Sequence, residues 1–99
     1  MDVTILDDEG KPTEGLKLSP DDHFSIFERL TGEQVLLGRA KDYYEDAEFS
    51  VKELDRLEIE ISKLAEKVKE THIKSLIDGL LSQVQRAKRH SLELHFIAD

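Results

Sequence analysis

The side chains best suited to recognising another molecule lie together in Lys41-Asp42-Tyr43-Tyr44-Glu45-Asp46-Ala47-Glu48-Phe49. Two adjacent tyrosines stand there among four acids. A phenol ring buries a large area, loses little conformational freedom and keeps a polar tip, which suits an interface anchor. Carboxylates around it would steer a positively charged protein and raise its association rate. The candidate partner-binding set is therefore Asp42, Tyr43, Tyr44, Glu45, Asp46 and Glu48, and its chemistry is the recognition of a basic protein surface. The same run also has a purely structural reading. In it Phe49 packs on the next helix, one tyrosine enters the core and the acids are simply solvated.

Nothing else in the chain combines residue types and spacing into a reaction. No P-loop, dinucleotide fingerprint, nucleophile elbow or zinc-helix motif is present. The histidines at 23, 72, 90 and 95 form no i, i+4 ligand pair, and each is expected at the surface. His72 falls near a helix start, His90 near a helix end and His95 on the polar face of a terminal strand. Asp22 and His23 are neighbours on a helix and point in different directions. Ser19 and Ser50 are placed as helix caps. Asp7-Asp8-Glu9-Gly10 resembles a calcium loop only superficially, because a glycine at the sixth position would put Ile5 at the first, where it cannot ligate. The expectation is a non-enzyme without metal or cofactor.

Charge narrows the partner. The net charge is −8, and residues 1–50 carry five basic against thirteen acidic side chains, whereas residues 51–99 carry nine of each. The whole excess thus lies in the first half, beside the two tyrosines. A negative field repels phosphate backbones and favours basic surfaces, so direct nucleic-acid binding is not expected. The chain has no cysteine, which removes disulfides, thiolate metal sites and a cysteine nucleophile and fits a reducing compartment. The first residues lack a basic region and a long apolar core, and no apolar run approaches the roughly 20 residues of a membrane helix. A cytoplasmic location without membrane contact is the expectation.

The elements that must position these residues are readable from periodicity. A short β-prone run over 3–6, a turn over 7–12 and alternation over 15–18 predict a hairpin. Ser19-Pro20-Asp21-Asp22 starts a helix, with Phe24, Phe27 and Leu30 at spacing three and Ile26 to Leu30 at four read as its apolar face and Gly32 as its end. Residues 33–44 fit either a short helix capped by Thr31 and Gln34 or a buried extended segment. Ser50-Val51-Lys52-Glu53 is a capping box that opens the seam Leu54, Leu57, Ile61, Leu64, Val68. Ile73, Leu76, Ile77, Leu80, Leu81, Val84 and Ala87 define a second seam. The step from Val68 to Ile73 rotates the apolar face by roughly 140°, which predicts two helices joined near Lys69–Thr71. Leu92-Glu93-Leu94-His95-Phe96 alternates as a strand. The fold class is α+β: one domain over residues 1–99, in which a small antiparallel sheet of the N-terminal hairpin and the C-terminal strand packs against a helical hairpin and one or two shorter helices.

In layout, the N-terminal hairpin, the Phe24–Leu30 helix, Asp42 through Leu54 with Leu57 and Ile61 following, and the closing strand to Asp99 resemble the small acidic immunity proteins of bacterial polymorphic-toxin systems. The likeness spans most of the chain and is one of pattern, without a diagnostic motif. It implies a protein that binds and blocks a cognate toxin, often a basic nuclease. A different class remains open, a structural or regulatory homodimer assembled through the helical hairpin of residues 51–90.

Overall fold

The alternation at the end of the chain produces a strand with two different faces: Leu94 and Phe96 are fully buried, His95 and Ile97 only partly. In the computed structural model, which describes residues 1–99, this strand is β4 (Leu94–Ile97). It lies between β1 (Asp2–Thr4) and β3 (Ala47–Phe49), and β2 (Leu16–Lys17) completes the order β2-β1-β4-β3. All three pairings are antiparallel, with Val3 and Ala47 both opposite Phe96. The turn from β1 to β2 is closed by Asp7, whose Oδ1 accepts from the amides of Glu9 and Lys11 at 2.9 Å each. Gly10 takes a φ of +78° in that turn, a conformation in which a side chain would be strained.

The sheet has one strand more than the sequence suggests. Residues 47–49, which lie outside the predicted hairpin and C-terminal strand, pair with β4 and form an edge strand. Phe49 is fully buried and meets Phe96 edge-on, ring centroids 5.5 Å apart. The anchor expected of Phe49 is thus reached through the sheet.

Three helices carry the rest of the core. Helix α1 (Pro20–Phe27) starts as predicted: the Asp22 amide donates to Ser19 Oγ and the Ser19 amide to the Asp22 carboxylate. It stops well before Gly32, because the amides of Arg29 and Leu30 turn back to Ile26 and Phe27 in tighter i to i+3 bonds. Its buried side chains are His23 and Ile26, and Phe24 is turned outward. This corrects two expectations, the apolar face through Phe24 and the surface placement of His23. Phe24 stands two residues, or about 200° of rotation, from Ile26 and so lies on the opposite side.

Helices α2 (Leu54–Lys67) and α3 (Thr71–His90) form the hairpin, with the break at Val68–Glu70 where the rotation of the seam places it. Every residue of the first seam, Leu54, Leu57, Ile61, Leu64 and Val68, is buried. At about 1.5–3 kcal/mol for each fully buried aliphatic side chain, this face is the largest single contribution to the core. Of the second seam Ile77, Leu80, Val84 and Ala87 are buried, and Ile73, Leu76 and Leu81 pack against its edge. The capping box closes as predicted: the Glu53 carboxylate accepts from the Ser50 amide at 3.0 Å.

Residues 33–44 take neither of the two forms anticipated. Thr31 and Gln34 do pair, the Thr31 amide donating to Gln34 Oε1 at 2.9 Å, but the chain then runs through turns and a 3-10 turn over Leu37–Ala40. The buried Glu60 of α2 fixes this segment by accepting from the amides of Leu36 and Leu37 at 3.2 and 3.0 Å. No helix of the chain is long and apolar enough to cross a membrane.

Candidate functional site

Helix α1 and the loop after the 3-10 turn face one another across an open groove of about 540 Å³. His23, Phe24, Phe27 and Glu28 line it from the helix and its end, and Lys41, Asp42, Tyr43 and Tyr44 from the loop. Its floor is fixed by His23. The ring stacks on Phe27 with centroids 4.2 Å apart, and Nε2 lies 2.7 Å from the carbonyl oxygen of Ala40. Because a carbonyl only accepts, Nε2 carries the proton in that bond. The imidazole thereby ties α1 to the turn that leads into the tyrosines.

Tyr43 is the second fixed wall. Its ring meets His23 edge-on at 5.3 Å and Tyr44 at 5.4 Å. Its hydroxyl donates to Asp99 Oδ2 at 2.9 Å and accepts from the Met1 ammonium at 3.3 Å. That ammonium also donates to Leu18 O and Asp99 Oδ2, both at 3.0 Å. Partial burial, and then the bond to the Asp99 carboxylate, raise the Tyr43 hydroxyl above its ordinary pKa. The Met1 ammonium and Tyr43 in turn hold Asp99 below the usual carboxylate range. Tyr43 is therefore a half-buried structural ring that shows one surface to the groove.

Tyr44 and Phe24 are the opposite case. They are 81% and 66% exposed, the two most exposed large apolar residues of the chain. Asp42 sets the direction of Tyr44 by accepting from its amide at 2.9 Å through Oδ1, which leaves Oδ2 without a partner. Of the six residues singled out in the sequence, Asp42, Tyr43 and Tyr44 line the groove, and the other three do not. Glu45 is exposed in the next turn. Asp46 accepts from the Ala98 amide at 2.7 Å and so pins the end of β4. Glu48 is exposed on β3, on the sheet face opposite to that of the buried Phe49. His23, Phe24 and Phe27, read from the sequence as surface or core, complete the groove together with Lys41, which opens the segment singled out, and Glu28, to which no role was assigned.

On that outer sheet face Glu48, Glu93 and His95 bring possible ligand atoms within 4.8 Å of one another. The carboxylates approach different ring nitrogens, Glu48 at 3.8 Å from Nδ1 and Glu93 at 3.9 Å from Nε2. Both carboxylates belong to exposed residues, and exposed acidic groups commonly stand near an imidazole without holding an ion. The remaining histidines are peripheral. His72 lies 3.3 Å from the Asp22 carboxylate at the outer surface, and His90 closes α3. Burial would push the Asp22 carboxyl up, but its bonds to His72 and Ser19 outweigh this and lower it.

The seam that could have formed a dimer interface is fully buried within the chain, and Ile59 is the large apolar residue that α2 leaves outside. Comparison with protein-family models, with curated proteins and with solved structures finds no match to this chain.

Proposed function

We propose that this chain is a non-catalytic protein-binding domain that covers a basic surface of a cognate protein, in the manner of an immunity protein that blocks a toxin. The observation that carries the reading is the pair of outward rings, Phe24 and Tyr44, over a groove with two acids in its lining and one base. Exposing two large aromatic residues at one groove costs a monomer solubility and contributes nothing to its core, so they favour a partner. The fixed rings of His23 and Tyr43 beneath them support the same reading, because a preformed surface loses little entropy on binding. The acidic excess belongs to residues 1–50, the half of the chain that builds this groove, and complements a positive surface. The absence of cysteine is in keeping with action in the cytoplasm.

The experiment is quantitative capture from the native host with the tagged chain and with its Phe24→Ser, Tyr44→Ala double variant. A basic protein should be held in stoichiometric amount by the parent and lost by the variant. Its association should slow as salt rises, since steering is screened over about 8–10 Å near physiological ionic strength. The purified partner's own activity should fall to background at one equivalent of this chain. A partner that ignores both the variant and salt, or one still active when bound, would refute the assignment.

A further inference from the structure

Within that reading, we infer that the groove between α1 and the 41–44 loop receives an arginine side chain of the partner, its guanidinium stacked on Tyr44 or Phe24 and paired with Asp42. Three features of the groove select this group. Its walls carry the rings of Phe24, Phe27, Tyr43, Tyr44 and His23, and aromatic faces attract a cation through their quadrupoles. Its lining holds two carboxylates, Asp42 and Glu28, and Asp42 keeps Oδ2 free to accept. Glu28 is less available, since Arg29 lies 3.4 Å from its carboxylate. The space, about 540 Å³, is a shallow depression widely open to solvent, so a partner's side chain can lie across its rings.

Among cations, arginine alone is planar and weakly hydrated, so it can lie flat on a ring while its edge meets a carboxylate. A lysine ammonium would have to surrender a tight hydration shell for rings it can touch only as a point charge. A neutral apolar side chain would satisfy the rings and leave Asp42 unused. Lys41 is the one base in the lining, and it opposes any incoming cation.

The test is NMR titration of the labelled chain with a blocked pentapeptide that carries a central arginine between leucines, and with its lysine and citrulline counterparts. Citrulline keeps the shape of arginine without its charge. The arginine peptide should move the signals of Phe24, Tyr43 and Tyr44 and bind at least about threefold tighter than the lysine peptide, with citrulline weaker still. Tyr44→Ala and Asp42→Asn should each weaken it by about threefold or more, and Lys41→Ala should strengthen it. Equal binding of lysine or citrulline, or shifts confined to residues outside the groove, would overturn the arginine assignment and leave the basic-partner reading standing. No shifts with any peptide, together with failure of the capture experiment, would overturn both.

Discussion

The Glu60 carboxylate, on the inward face of α2, lies 3.0 Å from the backbone nitrogen of Leu37. Its other oxygen takes the Leu36 amide, so one buried acid holds the middle of the 33–44 segment against the helical hairpin. Arg56 stands 3.5 Å from the same carboxylate on its solvent side. Replacing Glu60 by leucine keeps the volume and leaves the two amides unanswered, which should cost about 1–3 kcal/mol in urea unfolding. Glu60→Gln retains one acceptor and should cost less. Amide exchange should accelerate at Leu36 and Leu37 before it does in α3, and unchanged exchange there would refute the role.

Arg39 grips Glu53 with both terminal nitrogens, and the same carboxylate closes the capping box on Ser50. The Arg39 bond first, and then the Ser50 amide, hold the Glu53 carboxyl down to about 2. A folded pKa below the unfolded value of about 4.3 stabilises the fold fully above that value and is lost as pH falls through the folded one. Glu53→Gln should therefore be less stable than the parent at neutral pH. The difference should shrink as pH falls from about 4.3 toward about 2, measured by denaturant midpoints across that window. A difference independent of pH would assign the effect to packing instead.

Helix α2 shows two isoleucines that differ only in direction: Ile61 is fully buried and Ile59 is 57% exposed. Ile61→Ala should lose about 2–5 kcal/mol of unfolding free energy, while Ile59→Ala should stay within about 0.5 kcal/mol. Leu57 is also fully buried, so Leu57→Asp would unfold the chain and report nothing on association. The informative probe of a hairpin-mediated dimer is Ile59→Asp, read as mass in solution. A loss of mass with the fold intact would support the homodimer over the toxin-blocking reading.

Ser91 ends α3 in the left-handed region, with a φ of 52°. That conformation is strained for a side-chain residue and free for glycine, which is itself more costly to order from the unfolded chain. Ser91→Gly should gain about 0.5–1 kcal/mol net. For a chain of this size that amounts to a rise in Tm of roughly 2–8 °C, measurable by thermal melting. A lower Tm would refute the strain.

The helical hairpin was legible because its signals are local. A capping box and two apolar seams of helical period need no knowledge of the rest of the chain, and every buried apolar residue of the two helices is among the predicted ones. The strand Ala47–Phe49 was not legible, since three residues with an acid in the middle form a strand only because β4 offers them an edge. Adjacent tyrosines posed the same difficulty. Which of them enters the structure depends on Asp99 and Met1, from the two extremes of the sequence. Phe24 was misplaced because its spacing to Phe27 imitates a core face, whereas His23 and Ile26 are the pair that packs inward. An imidazole in that place could not be anticipated without the Ala40 carbonyl that accepts its N–H hydrogen bond.

The central position of β4 in the sheet has a consequence for the order of assembly. Its register sets Asp2 opposite Ile97, so the pairing that joins the two halves of the sheet closes a loop that contains all the other elements described. Contacts of such sequence separation are slow to form, because the loop entropy is lost before the strand bonds are gained. The helical hairpin, built from neighbours, can form first, and the sheet must condense onto it late. Tyr43 is held by Leu18, Asp99 and Met1, all at or beside that late seam. The groove wall that Tyr43 forms thus waits on the pairing of β1 with β4, and a chain caught before that pairing would carry its helices without that wall.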